Sequence, residues 1–450
     1  MTQGEITQKI KPEIKEEPSP PDQKPEFTAA VGLSRLWDAY EAGREVAQDL
    51  LKQMGDKEPD VVLLFSTIHY KHHGGFKKLL KGIHEILPKK TRLIGGTVTG
   101  FIIQQGCFTR GVTLQGIYYS DMDFSIAVGH NTKRNPKKAA NDCIKQIKGE
   151  LSESKYHNLF IYEIISGTKI PEIPGMGIKR VIKSEKIAAL FNLMSDFSLK
   201  ILQKGVGRED EILPLLVEAF PDAYLIGGSS FDDYNLIENY QFVDNTLLTN
   251  ALILLAIKSN LTQSVNTTYG LQETNKTFVV TKTTGHGRTI TEIDNKPANK
   301  GWLDAMDWPE DVLDEKIHRK TFYCPVGFIH KGILHPNVPA FFWGKSILCG
   351  YNVKEPNHRV FIASGRSLID SVEENMIKIK NKNNLAVFIV SCAVRLGGLG
   401  SKIFNVREKI IDSIGDTPFV CIYVTGEDTY SPEVGERHVN ESFNVASLYY

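Results

Sequence analysis

The chain has 450 residues, 53 of them lysine or arginine and 53 aspartate or glutamate, so its formal net charge is zero. Hydrophobic residues make up 41% and charged residues 24%, a balance that builds a core without disulfides or metal staples and, at this length, fills two or three domains. The even charge argues against a general nucleic-acid binder, which carries a basic excess, and against a polybasic membrane anchor. The N-terminus has no apolar leader, and no apolar run approaches the ~18 residues that span a bilayer.

Cysteines stand at 107, 143, 324, 349, 392 and 421, with no CxxC among them. That spacing suits a reduced, cytoplasmic protein with buried thiols and no metal site. Residues 1–26 read as a disordered tail: five prolines and many Lys and Glu cannot bury enough apolar surface to offset the cost of ordering. Within it Ile10–Glu13 and Ile14–Glu17 have the hydrophobic-Lys-x-Glu form of a lysine-modification site, a form that also arises by chance in such a tail.

Helical spacing of apolar residues predicts a helix over 34–54, with Ser34 as N-cap. A buried strand follows at 60–65, then loop and helix over 69–87. The strand 92–96 ends in Gly95 and Gly96, and an antiparallel pair spans 111–119 and 124–129. The order returns: strand 158–165, helix 186–203, strand 223–228 ending in Gly227 and Gly228, then strands 240–243 and 250–257. A third round has strand 384–391, helix 404–414, strand 419–426 and strand 443–449. Between the second and third rounds lie a hairpin (278–282 and 289–293), Pro-rich turns and strands 341–349 and 358–363. The fold predicted is α/β, with mixed sheets flanked by helices and an internally repeated strand–helix–strand–glycine-turn unit. A polar segment at 259–274 divides it into regions 27–260 and 261–450.

Glycines at a strand end let backbone N–H groups approach a ligand, so Gly95, Gly96 and Thr97, and Gly227, Gly228 and Ser229, are candidate contacts. Neither set fits the dinucleotide or P-loop pattern, and a plain sharp turn explains each as well. Ser391–Arg395, Thr425–Asp428 and His438–Ser442 follow or precede buried strands, where open α/β sheets place ligands. There Arg395 offers a planar fork to a carboxylate, Glu427 can meet an ammonium, and Gly426 and Asn440 add polar contacts. A salt bridge between Arg395 and Glu427 is the structural alternative. Cys392 serves as pocket wall, or as nucleophile if a cation lowers its pKa. His69, His72 and His73 suit a solvated loop better than a metal site, and His286 is a weak candidate for a haem ligand.

Taken together, Leu93–Gly100, Leu225–Ser230, Phe278–Thr281, Glu292–Ala298, Ser391–Arg395, Thr425–Glu427 and His438–Ser442 resemble the FIST family, with its N-terminal and C-terminal regions, over nearly all of residues 28–450. The resemblance implies a cytoplasmic sensory module that binds small ligands such as amino acids. Bacterial members are joined to signalling domains, some being haem-based nitric-oxide sensors, and eukaryotic relatives carry an F-box. The tail here is too short and polar for an F-box. The expectation is a stand-alone sensor, not an enzyme, binding an amino acid or related carboxylate and signalling through a protein partner, with no cofactor, nucleic acid or membrane. The alternatives are a protein-interaction adaptor, and an enzyme using Cys392 as nucleophile or Glu427 as general base.

Overall fold

The computed structural model describes residues 26–172, 177–285 and 287–450, with the backbone alone for 192–196. The two lysine-modification motifs and His286 lie outside the described residues.

Among the described residues the strands form four sheets, three of them six-stranded with one shared order. The first runs Phe27–Ser34, Val112–Tyr119, Val61–Thr67, Arg92–Val98, Gln241–Val243, Thr246–Leu248. The second runs Met122–His130, Ala251–Ser259, Asn158–Ser166, Tyr224–Ser230, Glu427–Tyr430, Arg437–Val439. The third runs Thr262–Thr268, Phe443–Tyr449, Asn384–Cys392, Phe419–Val424, Gly100–Ile103, Gly106–Phe108. In each, the third and fourth strands are parallel and the other pairs antiparallel.

The hairpin that completes each sheet comes from another round of the chain. Residues 100–108 leave the first sheet for the third, 241–248 leave the second for the first, and 427–439 leave the third for the second. The crossings are tied by backbone hydrogen bonds in a ring: Phe231 N to Thr97 O (2.8 Å), Thr99 N to Tyr423 O (3.0 Å) and Ser229 N to Gly426 O (3.0 Å).

Period-two alternation sets the layers. Val61, Leu63 and Phe65 point to a core shared by all three sheets, which also holds Phe160, Tyr162, Phe388, Val390 and Ile422. Val62 and Leu64 point outward, under helices Ala39–Met54 and Phe76–His84. Helices Pro136–Glu150 and Glu209–Ala219 cover the second sheet in the same way, and Gly365–Ile377 and Ile403–Ile414 the third. Strands apolar on both faces read as unbroken apolar runs, which is why the sequence shows them so clearly.

Two insertions depart from this plan. Residues 167–208 separate Asn158–Ser166 from its helix, and residues 269–364 build most of a nine-stranded fourth sheet. The insertions meet where Val181–Ile182 pairs with Phe342 and Trp343, and Trp343 Nε1 donates to Lys179 O at 3.1 Å.

The α/β class with mixed, helix-flanked sheets is as the sequence predicts. Several details differ. The first helix begins at Ala39, capped by Asp38, whose Oδ1 accepts from the N–H groups of Tyr40 and Glu41; Ser34 ends a strand instead. The glycine pairs are not turns. Gly95 and Gly96 lie inside Arg92–Val98, and Gly227 and Gly228 inside Tyr224–Ser230, all outside the left-handed region. A Cβ on Gly95 would sit 2.1 Å from Leu64 O, and one on Gly228 2.8 Å from Val424 Cγ2. These glycines permit close packing between strands and sheets. Helices 136–150, 209–219 and 365–377 are absent from the sequence reading altogether.

Candidate functional site

Where the second and third sheets meet, the two insertions cover a cavity of about 110 Å³. Its polar groups come from several places. Thr168 and Arg180 belong to the first insertion, His318 to the second, Glu209 to a helix start, Tyr234 to the loop after Tyr224–Ser230, Thr425 and Gly426 to a strand exit, and His438 and Asn440 to the exchanged hairpin. Phe231, Leu236, Phe322, Val338 and Phe341 make apolar walls.

Glu209 opens helix 209–219, and the Ser229 hydroxyl donates to its Oε1. A Cβ on Gly207 would come 2.0 Å from Glu209 Oε2, so only glycine lets this carboxyl fold where it does. Burial raises the Glu209 pKa, opposed by the charges of His438 and Lys133. Lys133 is itself buried, donates to Gly167 O at 2.8 Å and Val206 O at 3.1 Å, and is brought down to about 7 by burial against the pull of Glu209.

His438 and Asp428 are direct cross-strand partners, so the imidazole Nδ1 lies 2.7 Å from Asp428 Oδ1. Burial alone would lower the His438 pKa, but the Asp428 carboxylate, with Glu209 and Asp210 behind it, outweighs burial and holds the ring at about 9, protonated near neutrality. Gly426 has φ 86°, and a Cβ there would lie 3.1 Å from His438 Cε1 and 3.3 Å from Ser229 Oγ. Imidazolium, Ser229 and the Glu209 carboxyl therefore cluster around one glycine turn. Thr425 Oγ1, also in the wall, is buried without a hydrogen-bond partner in the protein. Arg180 sits 5.7 Å over the Phe341 ring and donates to Tyr234 O at 3.0 Å.

Of the residues singled out in the sequence, Cys392, Gly426 and Asn440 line this cavity. Ser229 stands one layer behind, under Glu209. Glu427 is also behind the wall: its Oε2 accepts from Ser442 Oγ (2.8 Å) and N (3.3 Å), and burial pushes it up to about 8. Thr97 is spent on Tyr240, whose N–H donates to its hydroxyl at 3.1 Å. Gly95, Gly96, Gly227 and Gly228 do not reach the cavity. Nor does Arg395, whose guanidinium donates to Tyr269 O (2.7 Å), Leu368 O (2.7 Å), Glu441 O (3.3 Å) and Ser371 Oγ (2.8 Å) rather than to Glu427. The Cys392 thiol is pushed well up by burial and by the neighbouring Glu427 and Glu441, the opposite of an activated nucleophile.

His69 packs against Trp37 and Tyr70 with Nδ1 2.7 Å from Thr67 Oγ1, and burial lowers it to about 4. Among the described residues no three His, Cys, Asp or Glu are grouped to hold a metal ion, and no helix is long and apolar enough to cross a membrane.

Glu209, Lys133 and Arg180 escaped the sequence reading, because each looks like an ordinary surface charge. Only Gly207, two residues before Glu209, gave a local sign. Behind them Glu163 is fully buried with neither carboxyl oxygen hydrogen-bonded, and Gly227 lies between it and Asp428 in register. Burial, then Asp428 and Glu209, raise its pKa well above the usual carboxyl value. A carboxyl held neutral in the fold contributes stability below its unfolded pKa of about 4.3, and that stability is lost as pH rises toward the folded value. Glu163→Gln is therefore expected to gain a few degrees in Tm over wild type at pH 8 and less at pH 5. An equal difference at both pH values would show that Glu163 does not titrate this way.

A family model described as the FIST N domain matches residues 60–296. No curated protein matches the chain. Among solved structures, a cyanuric acid hydrolase aligns at 8% identity and TM-score 0.31, covering 94% of this chain and 99% of the other. A cyanuric acid hydrolase from A. caulinodans aligns at 7% identity and TM-score 0.33 with the same coverage.

Proposed function

The chain belongs to the FIST family, and on that premise we propose that it is a sensory, signal-transduction module whose cavity beneath the two insertions binds a small carboxylate ligand, an amino acid or a relative of one. The observation that carries this reading is the pairing of unlike polar groups in an otherwise apolar wall. The His438 imidazolium and the unpartnered Thr425 hydroxyl suit a carboxylate, and Glu209, in the same polar cluster, suits an ammonium. A buried hydroxyl without a partner is costly unless a ligand or water completes it.

Signalling follows from which elements the ligand would touch. Thr168 and Gly207 come from one insertion, and Val338, Phe341 and Gly350 from the other. A ligand gripping both favours their docked arrangement over a parted one, and only such differential affinity shifts a population.

The test is a thermal-shift screen of amino acids and dicarboxylates on wild type and His438→Gln. A ligand at ~100 times its Kd adds about 2.7 kcal/mol, worth several degrees. The shift is expected in wild type and absent in the variant. A shift that His438→Gln leaves intact would place the ligand elsewhere.

A second reading, the adaptor, has one observation in its favour. Ile187, Leu190, Phe197, Ile201 and Leu202 are all exposed along 187–202 of the first insertion, an apolar display larger than single scattered residues explain. In the sensor reading the same face serves the partner that carries the output.

A further inference from the structure

The short connection between strand Phe27–Ser34 and helix Ala39–Met54 holds two large apolar side chains in solvent, Leu36 at 43% exposure and Trp37 at 54%. Its backbone is nonetheless fixed. The Leu36 N–H donates to Ser34 Oγ at 3.3 Å, the Tyr70 hydroxyl donates to Leu36 O at 2.9 Å, and the Ala39 N–H donates to His73 O at 2.8 Å. Contact with Trp37 therefore costs little ordering entropy.

Cations surround the pair. Arg110 lies 4.3 Å over the Trp37 ring, the His73 ring meets it at a steep angle with centroids 4.7 Å apart, and Arg35 lies 5.5 Å over Phe108. The sheet register sets the two arginines side by side: Ser34 pairs with Val112, so Arg35 leaves one strand where Arg110 and Gly111 lead into the other. A Cβ on Gly111 would lie 3.7 Å from Arg35 Cγ. Among the described residues neither guanidinium takes part in a hydrogen bond or an ion pair. The nearby carboxylates are already engaged. Glu45 and Asp49, which share a surface hollow with Arg35, accept from the Ser34 hydroxyl and the Leu33 N–H, and Asp38 caps the helix. Burial, and after it the charges of Arg110 and His73, lower the His69 pKa, so the local field is positive. From this arrangement we propose that Arg35, Leu36, Trp37 and Arg110 form a docking surface for an acidic segment of a partner protein, with an apolar side chain against Leu36 and Trp37 and carboxylates on the two guanidiniums.

Stacking uses the face of a guanidinium and leaves its N–H donors around the rim, where a carboxylate accepts two at once. Tryptophan and arginine are also the residues in which binding energy concentrates at protein interfaces. A nucleic-acid strand fits less well. Arg110 takes one face of Trp37 from a stacking base, and the chain has no basic excess to follow a phosphate backbone. The surface shares no residue with the cavity or with the apolar run at 187–202, so it stands whether or not the cavity binds a carboxylate.

The full chain is titrated by fluorescence anisotropy with three labelled peptides, four repeats each of Glu-Glu-Leu, Lys-Lys-Leu or Ser-Ser-Leu, and with a labelled oligothymidylate. Only the glutamate peptide is expected to bind. Trp37→Ala and Arg110→Glu should each weaken it at least tenfold, whereas Lys137→Glu, a charge reversal at an exposed position of helix 136–150, should leave it unchanged. Raising salt from about 50 to about 500 mM should weaken it several-fold, because exposed charges are screened. Absent binding of the glutamate peptide, equal binding of the lysine or serine peptide, an equal loss in Lys137→Glu, or tighter binding of the oligothymidylate overturns the proposal. So does a tenfold gain in affinity in the triple variant Glu13→Lys, Glu16→Lys, Glu17→Lys, which would make the chain's own acidic residues the occupant. If Trp37→Ala fails to fold, Arg35→Gln combined with Arg110→Gln, two exposed side chains, decides in its place.

Discussion

Arg395→Ala is expected to lower the stability of the chain by on the order of 5 kcal/mol, about 5 °C in Tm for a cooperative unit of this size. Arg395 is 1% exposed, and its guanidinium ties together three separate stretches. One is the entrance to the second insertion at Tyr269, one is the helix 365–377 through Leu368 and Ser371, and one is the turn at Glu441 before the last strand. Removing it takes this donor from the Tyr269 and Glu441 carbonyls, at about 1–3 kcal/mol each, while Leu368 O keeps the Ser371 hydroxyl; it also opens a space against the Phe443 ring 5.6 Å away. Arg395→Lys restores little, since a single ammonium cannot span the three directions that a planar fork covers. Thermal and urea denaturation of both variants check this. A Tm within two degrees of wild type for Arg395→Ala would show that these bonds contribute little, and loss of ligand affinity in such a stable variant would return Arg395 to the binding site. Where the melt does collapse, loss of affinity in Arg395→Ala reports the fold.

That reversal shows what a sequence conceals. An arginine after a buried strand looks poised for a ligand, because its acceptors at 269, 368 and 441 are distant in the chain and carry no local mark. The glycine pairs mislead for the same reason: Gly228 is small because Val424, nearly two hundred residues on, packs against it. Leu36 and Trp37 keep helical spacing with Tyr40 yet stand outside the helix, Trp37 being held by Arg110 at 4.3 Å over its ring. What depends on near neighbours was legible: strands buried on both faces, the two helices of the first round together with Glu185–Phe197 and Ile403–Ile414, and the α/β class. Two overlooked helices also had local signals, Asn135 before Pro136 and Ser364 in a capping box with Ser367. The cavity was half legible. The strand-end motifs named Gly426, Cys392 and Asn440 in its wall, but the buried charges Glu209 and Lys133 are recognisable only once their burial is known.

Dividing the chain between residues 260 and 261 is expected to leave neither half folded alone. The cut falls in the short link between strands Ala251–Ser259 and Thr262–Thr268, where a linker would ordinarily be sought. Yet hairpins cross it both ways. A fragment of 27–260 loses strands 427–430 and 437–439 from its second sheet, baring the edge of Tyr224–Ser230, and its own hairpin 100–108 loses the strand 419–424 that it pairs with. The shared core suffers more. Phe388, Val390, Val420, Ile422, Val424, Ala446 and Leu448 all leave it, exposing Phe65, Phe101, Phe160 and Tyr162 on the inner faces that remain. At about 1.5–3 kcal/mol for each large side chain returned to water, these four alone cost as much as the 5–15 kcal/mol that holds an ordinary domain together. An unpaired central strand with an apolar face also invites aggregation. The 27–260 fragment should therefore precipitate or bind hydrophobic dyes when expressed alone. Co-expressed with 261–450 it should recover a single cooperative melt near that of the intact chain. A lone 27–260 fragment with a dispersed amide spectrum and its own sharp unfolding transition would show that the exchanged hairpins decorate an independent domain. In that case ligand binding to the cavity, which draws Glu209 from one half and His438 from the other, would have to work by docking two preformed bodies.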